Sequence, residues 1–231
     1  MRFSLLVLMV TALSVINGCS KELSFEENVK LAEQLSREGK TERAIEAYKK
    51  ASQIKPENSE VHDVLGRLYY EHLVAVSRQG ATNAKEAEEY KKTLNDITKL
   101  ATAEFKKALA LDPSKWFARY MVATDFYNNK RYEEAIKEYA EVIKTNPNYS
   151  TAYGMLGESY LALGNYVLAK DIFDKEYQLD HNQERYLCSL GKAYYIAKDY
   201  NKGFEMLTRL KNMKSPYYDD LVDFKFTHNI P

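Results

Sequence analysis

The chain has 231 residues, with 33 basic and 33 acidic side chains, 45% apolar residues, 9 Gly, 5 Pro and 2 Cys. That composition excludes collagen-like, disordered and disulfide-framework chains, and zero formal charge removes the broad attraction that generic nucleic-acid binding needs. Abundant Ala, Leu, Glu and Lys lose little rotamer freedom in helices, so an all-α fold is expected.

Residues 1–18 read as a secretory signal, because Met1 and Arg2 form a positive end and Phe3 to Val15 is a 13-residue apolar run. That run is shorter than the roughly 20 residues needed to span a bilayer as a helix. Ile16-Asn17-Gly18-Cys19 resembles the lipobox of bacterial lipoproteins. The resemblance implies that Cys19 is lipidated and becomes the mature N-terminus, and more than one acyl chain makes attachment stable. Processing removes Arg2 and leaves 32 basic against 33 acidic groups, so lipid alone would hold the chain. Ser20 stands where an Asp marks inner-membrane retention in enteric lipoproteins, which implies the outer membrane, facing the periplasm. Residues 19–24 form a short linker; five extended residues reach roughly 17 Å, so the folded body is expected close to the bilayer.

From residue 25 a 34-residue period appears. Its second-helix marker reads Ala44, Tyr48, Ala51, Pro56; then Ala101, Phe105, Ala108, Pro113; then Ala135, Tyr139, Val142, Pro147. A fourth copy reads Ala169, Phe173, Glu176, His181, and a fifth Gly203, Leu207, Leu210, Ser215. A first-helix partner precedes three of these: Leu65-Gly66 with Tyr69, Leu156-Gly157 with Tyr160, and Leu190-Gly191 with Tyr194. Small residues let two antiparallel helices approach, aromatics fill the space beside them, and Pro ends the second helix. Ser24 with Glu27 reads as a capping box, and Gly39 and Gly164 as left-handed turns. The pattern resembles the tetratricopeptide repeat, which implies a right-handed superhelix of about five helix-turn-helix repeats at 25–58, 59–115, 116–149, 150–183 and 184–216. Residues 217–231 are expected to cap the last repeat.

Repeat two is longer than the rest. Pro56 to Pro113 spans 57 residues, 23 more than one period, and the surplus keeps helical spacing on either side of Gln79-Gly80-Ala81-Thr82-Asn83. A helical hairpin over about 73–98, turning near Gly80, is predicted as a docking feature or a tolerated insertion.

No HExxH, CxxC, phosphate-cradling glycine loop or GxSxG elbow occurs, and His62, His72, His181 and His228 are dispersed, so the chain is read as no enzyme, with no metal and no cofactor. Cys188, the thiol left after lipidation, is expected to be a shielded small hydrophobe.

In the tetratricopeptide family, places two, five, nine, twelve and thirteen of each first helix line a concave groove. Transferred here, they are Glu26, Val29, Glu33, Ser36 and Arg37; Glu60, Asp63, Arg67, Tyr70 and Glu71; Phe117, Tyr120, Thr124, Tyr127 and Asn128; Thr151, Gly154, Glu158, Leu161 and Ala162; and Arg185, Cys188, Lys192, Tyr195 and Ile196. Tyr70, Phe117, Tyr120, Tyr127, Arg185, Lys192 and Tyr195 are the candidate peptide contacts, since exposed aromatics carry binding energy. The alternative for the aromatics is cover by neighbours or by the C-terminal tail. The expectation is a lipid-anchored adaptor that binds an envelope protein or peptide, broadly similar to pilotin-like assembly lipoproteins. The alternatives are a homo-oligomer joined through the repeat-two hairpin and an accessory subunit of a cell-wall enzyme.

Overall fold

The computed structural model describes residues 22–80, 83–179 and 184–231. The leader and Cys19 lie outside the described residues, as does His181. Among the described residues there are eleven α-helices and no strand. They are α1 (Phe25–Arg37), α2 (Thr41–Ile54), α3 (Ser59–Ser77), α4 (Ala84–Leu111), α5 (Trp116–Asn128), α6 (Tyr132–Thr145), α7 (Ser150–Ala162), α8 (Tyr166–Leu179), α9 (Glu184–Ile196), α10 (Tyr200–Asn212) and α11 (Tyr217–Thr227). The described residues divide into two compact units, one ending at Ala101 and one beginning at Thr102, so the division falls inside α4.

Local chemistry accounts for the helix ends. The Ser24 amide donates to Glu27 Oε2 at 2.8 Å and the Glu27 amide to Ser24 Oγ at 3.2 Å, which is the expected capping box. α2, α4 and α6 each stop two residues before Pro56, Pro113 and Pro147. The turn between paired helices is the same in four repeats: Gly39, Lys130, Gly164 and Lys198 all take positive φ, from 59 to 76°. At each, the next amide reaches back five residues, as in Lys40 to the Leu35 carbonyl at 2.9 Å and Asn165 to that of Tyr160 at 2.8 Å. These are the paired bonds of a Schellman stop.

In the first unit α1 pairs with α2, and α3 packs on α2. Ala32, Ala44, Ala51 and Leu65 are buried along these crossings, with Tyr48 beside them. The repeat-two surplus is helical: α3 has 19 residues and α4 has 28. Gly80 turns at φ 71°, and the Tyr90 hydroxyl donates to the Ser77 carbonyl at 2.7 Å, tying the second arm to the end of the first.

In the second unit α5/α6, α7/α8 and α9/α10 form successive pairs. One core gathers Ala123, Ala135, Tyr139, Met155 and Leu156. Another joins Ala169, Phe173, Leu187, Leu190, Met206, Leu210 and Leu221. Leu221 belongs to α11, which packs on α9 and α10 as a further first helix would. Its methyl groups press on the Gly191 backbone, so the last repeat's apolar end is covered.

Candidate functional site

In the first unit, Glu33, Ser36 and Arg37 from α1, Tyr48 from α2, and Val64, Arg67, Leu68 and Glu71 from α3 line a cavity of about 500 Å³. A second hollow of about 220 Å³ shares Glu33, Tyr48 and Val64 and adds Phe25, Val29 and Glu60. Five transferred groove places, Glu33, Ser36, Arg37, Arg67 and Glu71, therefore meet at one hollow. Tyr70 is 40% exposed but does not line it. Tyr48 was expected only as a packing residue, yet its ring floors both hollows. Burial pushes its hydroxyl up, Glu33 and Glu60 add to the shift, and Arg37 opposes it. Arg67 donates to Asp63 at 2.9 Å, while Arg37 meets Glu33 at 3.7 Å in an exposed pair.

In the second unit, Phe117, Tyr120 and Tyr127 project from α5 and are half-buried. Phe117 is edge-on to Phe105 at 6.0 Å and to Trp116 at 5.8 Å. Tyr120 meets Tyr139 at 5.8 Å and Tyr149 at 5.2 Å, and Trp116 meets Tyr149 at 5.0 Å. Trp116 and Tyr149 thus belong to the aromatic surface, although groove places alone pass over both; the sole Trp beside Phe117 was the available signal. Tyr139 stays in the core, with its hydroxyl donating to Thr124 Oγ1 at 3.0 Å. Tyr127 lies edge-on to Tyr132 at 5.5 Å. Burial pushes the pKa of its hydroxyl up, Glu158 and Tyr132 reinforce that, and Arg185 opposes it.

The last-repeat candidates divide. Arg185 is exposed and lies over the Tyr186 ring at 5.1 Å. Lys192 is half-buried, with its Nζ 5.8 Å from the Phe224 ring of α11. Tyr195, expected as an exposed contact, is only 1% exposed and is a core side chain. The reason lies opposite it, where the Ala of the other second helices is replaced by Gly203. Ring atoms of Tyr195 come within 2.4 to 3.0 Å of where a Cβ on Gly203 would stand, so the missing methyl makes room for the ring. Cys188, another transferred place, is buried, and burial pushes its thiol up.

One departure from the repeat pattern is buried rather than displayed. Glu176 is fully enclosed at a second-helix place that holds Ala51, Ala108, Val142 and Leu210 elsewhere. Gly154 leaves space for its carboxylate. Beside it, the Tyr186 hydroxyl is pushed up to about 12 by burial and by the Glu176 charge. Among the described residues no group of three or more His, Cys, Asp and Glu is placed to hold a metal, and no helix is long and apolar enough to cross a membrane. His62 is buried with Nε2 2.9 Å from the Pro56 carbonyl, a structural bond.

Two stretches of the chain match known repeat models. Residues 34–72 match a TPR repeat model and residues 120–184 a tetratricopeptide repeat model. Those two stretches are tetratricopeptide repeats. Hsp70-Hsp90 organizing protein 1 of Arabidopsis thaliana is 33% identical over 95 residues, which cover 41% of this chain and 16% of that protein. Type IV pilus assembly protein PilF of Pseudomonas aeruginosa is 25% identical over 164 residues, 70% of this chain and 56% of that protein. The chain thus spans little more than half of PilF and about a sixth of the organizing protein. A structure of MamA from Desulfovibrio magneticus RS-1, beginning at its residue 41, superposes with a TM-score of 0.63 at 19% identity, covering 82% of this chain and 94% of that one. The tetratricopeptide repeats share its fold.

Proposed function

We propose that the protein is a membrane-anchored interaction scaffold of the bacterial cell envelope. It is tethered through lipidated Cys19 to the periplasmic side of the outer membrane and captures a partner protein or peptide on the first-helix faces of its repeats. The observation that carries the capture reading is the half-exposed aromatic run Phe117, Tyr120 and Tyr127 along α5, flanked by Trp116 and Tyr149. Large stiff rings with a polar edge contribute binding area at small entropic cost, and helix packing alone does not require so many on one face. The apolar leader and the lipobox-like Ile16-Asn17-Gly18-Cys19 support the anchor. The type IV pilus assembly role named for PilF supports a task in assembling an envelope machine.

The test is affinity capture from solubilised envelopes with the full-length chain, comparing wild type with the pair Phe117→Ala and Tyr127→Ala. Tyr120 is left intact because it supports the buried Tyr139. Partner recovery is expected to fall about tenfold or more with helicity unchanged, the scale of losing a binding hot spot. Unchanged recovery would reject the aromatic face. In parallel, Cys19→Ser is expected to abolish incorporation of a labelled fatty acid and to release the chain from membranes; retained label would reject the anchor.

A further inference from the structure

The cavity of the first unit has a chemistry of its own. Its floor is apolar and aromatic, made by Val64, Leu68 and the Tyr48 ring, and its rim is charged. Glu33 stands on α1 and Glu71 on α3, so carboxylates reach the hollow from two helices, and Glu60 borders the adjoining one. The two guanidiniums present are already engaged, Arg67 with the nearly buried Asp63 at 2.9 Å and Arg37 with Glu33 at 3.7 Å. Glu71 makes no ion pair among the described residues. The lining itself sets Glu33 and Glu71 against Arg37 and Arg67, and since Arg67 is held by Asp63 and Arg37 by Glu33, Glu71 is the lining carboxylate left without a cation. Burial is the main cause of the raised Tyr48 hydroxyl at the floor, with Glu33 and Glu60 adding to it.

We infer that this cavity seats a Lys or Arg side chain of an extended peptide segment, its aliphatic stem on Val64 and Leu68 and its cationic head between Glu33 and Glu71. This rests on the reading of the repeats as a partner-binding face and narrows it to a basic partner segment. The match is one of amphipathic form: long basic side chains lay apolar stems on apolar surface while the head keeps polar company, and a ring beneath the head adds a cation–π attraction. The hollow, about 500 Å³ and open to solvent, has room for a long side chain laid along it. An acidic segment would meet Glu33 and Glu71, with Arg67 already held by Asp63 and Arg37 beside Glu33, so repulsion disfavours it.

Phage-displayed random short peptides, selected on the full-length chain in neutral detergent, test this. The selected peptides are expected to be enriched in Lys and Arg over Asp and Glu. The affinity of a selected peptide, read by fluorescence anisotropy, is expected to fall roughly threefold to tenfold in a Glu33→Gln, Glu71→Gln double variant and to weaken with added salt. Val64→Lys, which supplies an ammonium from within, is expected to abolish binding; the isosteric Gln variants serve if it perturbs the helix, with circular dichroism as the fold control. Selected peptides that are acidic or neutral, or basic peptides indifferent to the Gln variants, would overturn the basic-segment inference and leave the partner-binding face standing. If no peptide is selected, the inference and that face fall together.

Discussion

The Tyr195 hydroxyl is carried into the interior and finds no acceptor among the described residues, while burial pushes its pKa up. An unsatisfied buried hydroxyl costs free energy that Phe would not. Tyr195→Phe should therefore raise stability by about 1 kcal/mol, seen as a higher urea midpoint at unchanged slope. Gly203→Ala should act oppositely, costing roughly 1 to 3 kcal/mol because the new methyl must displace the ring. Tyr186 carries a pH dependence. Its folded hydroxyl ionises at about 12 against 10.0 unperturbed, so the native state holds its proton where the unfolded state gives it up. Stability from this group is full below pH 10 and is lost as pH rises towards 12, on the order of 2 kcal/mol. Alkaline titration should show tyrosinate absorbance rising together with loss of helix, and Tyr186→Phe should make that loss shallower. Residue by residue, the meeting of Glu33, Ser36, Arg37, Arg67 and Glu71 at one hollow was legible because position along a helix decides which side it faces. Tyr195 was not, because its direction depends on an atom missing from another helix.

At the scale of the element, the turns show where propensity yields to bonding. Gly39 and Gly164 could be read as left-handed stops, whereas Lys130 and Lys198 could not, since a Lys prefers negative φ. Both are nevertheless held at φ 59 and 62°, because the amides after them bond to the Phe126 and Tyr194 carbonyls at 2.9 Å and the helix pair must reverse there. The strain is the kind that Gly removes. Lys130→Gly is expected to raise the thermal midpoint, corresponding to about 1 kcal/mol, whereas Gly39→Ala should lower it by a similar amount. The repeat-two hairpin was legible for a different reason: its surplus kept a three-to-four apolar spacing on both sides of the Gly80 break, and periodicity survives insertion. Its tie from Tyr90 to the Ser77 carbonyl had no such signal, because the two residues meet only once the arms have folded together.

For the whole molecule, a repeat array stabilises itself through neighbours, so damage at one end should remain local. α11 provides the neighbour that the last pair lacks. Leu221 is fully buried in the same core as Leu187, Met206 and Leu210, while Tyr217, Tyr218, Phe224 and Ile230 pack around it. Removing the chain from Tyr217 onward exposes that core and leaves α9 and α10 with one packed side, a deficit comparable to several large-to-small core substitutions at roughly 2 to 5 kcal/mol each. Hydrogen exchange should then accelerate strongly across α9 and α10, less across α7 and α8, and not across α1 to α3, which belong to the other compact unit. Leu221→Ala should reproduce the pattern in weaker form, by about 3 kcal/mol. Uniform acceleration through α1 to α3 would mean that the array unfolds as one cooperative body, and a graded loss from the C-terminal end that each pair depends on the next.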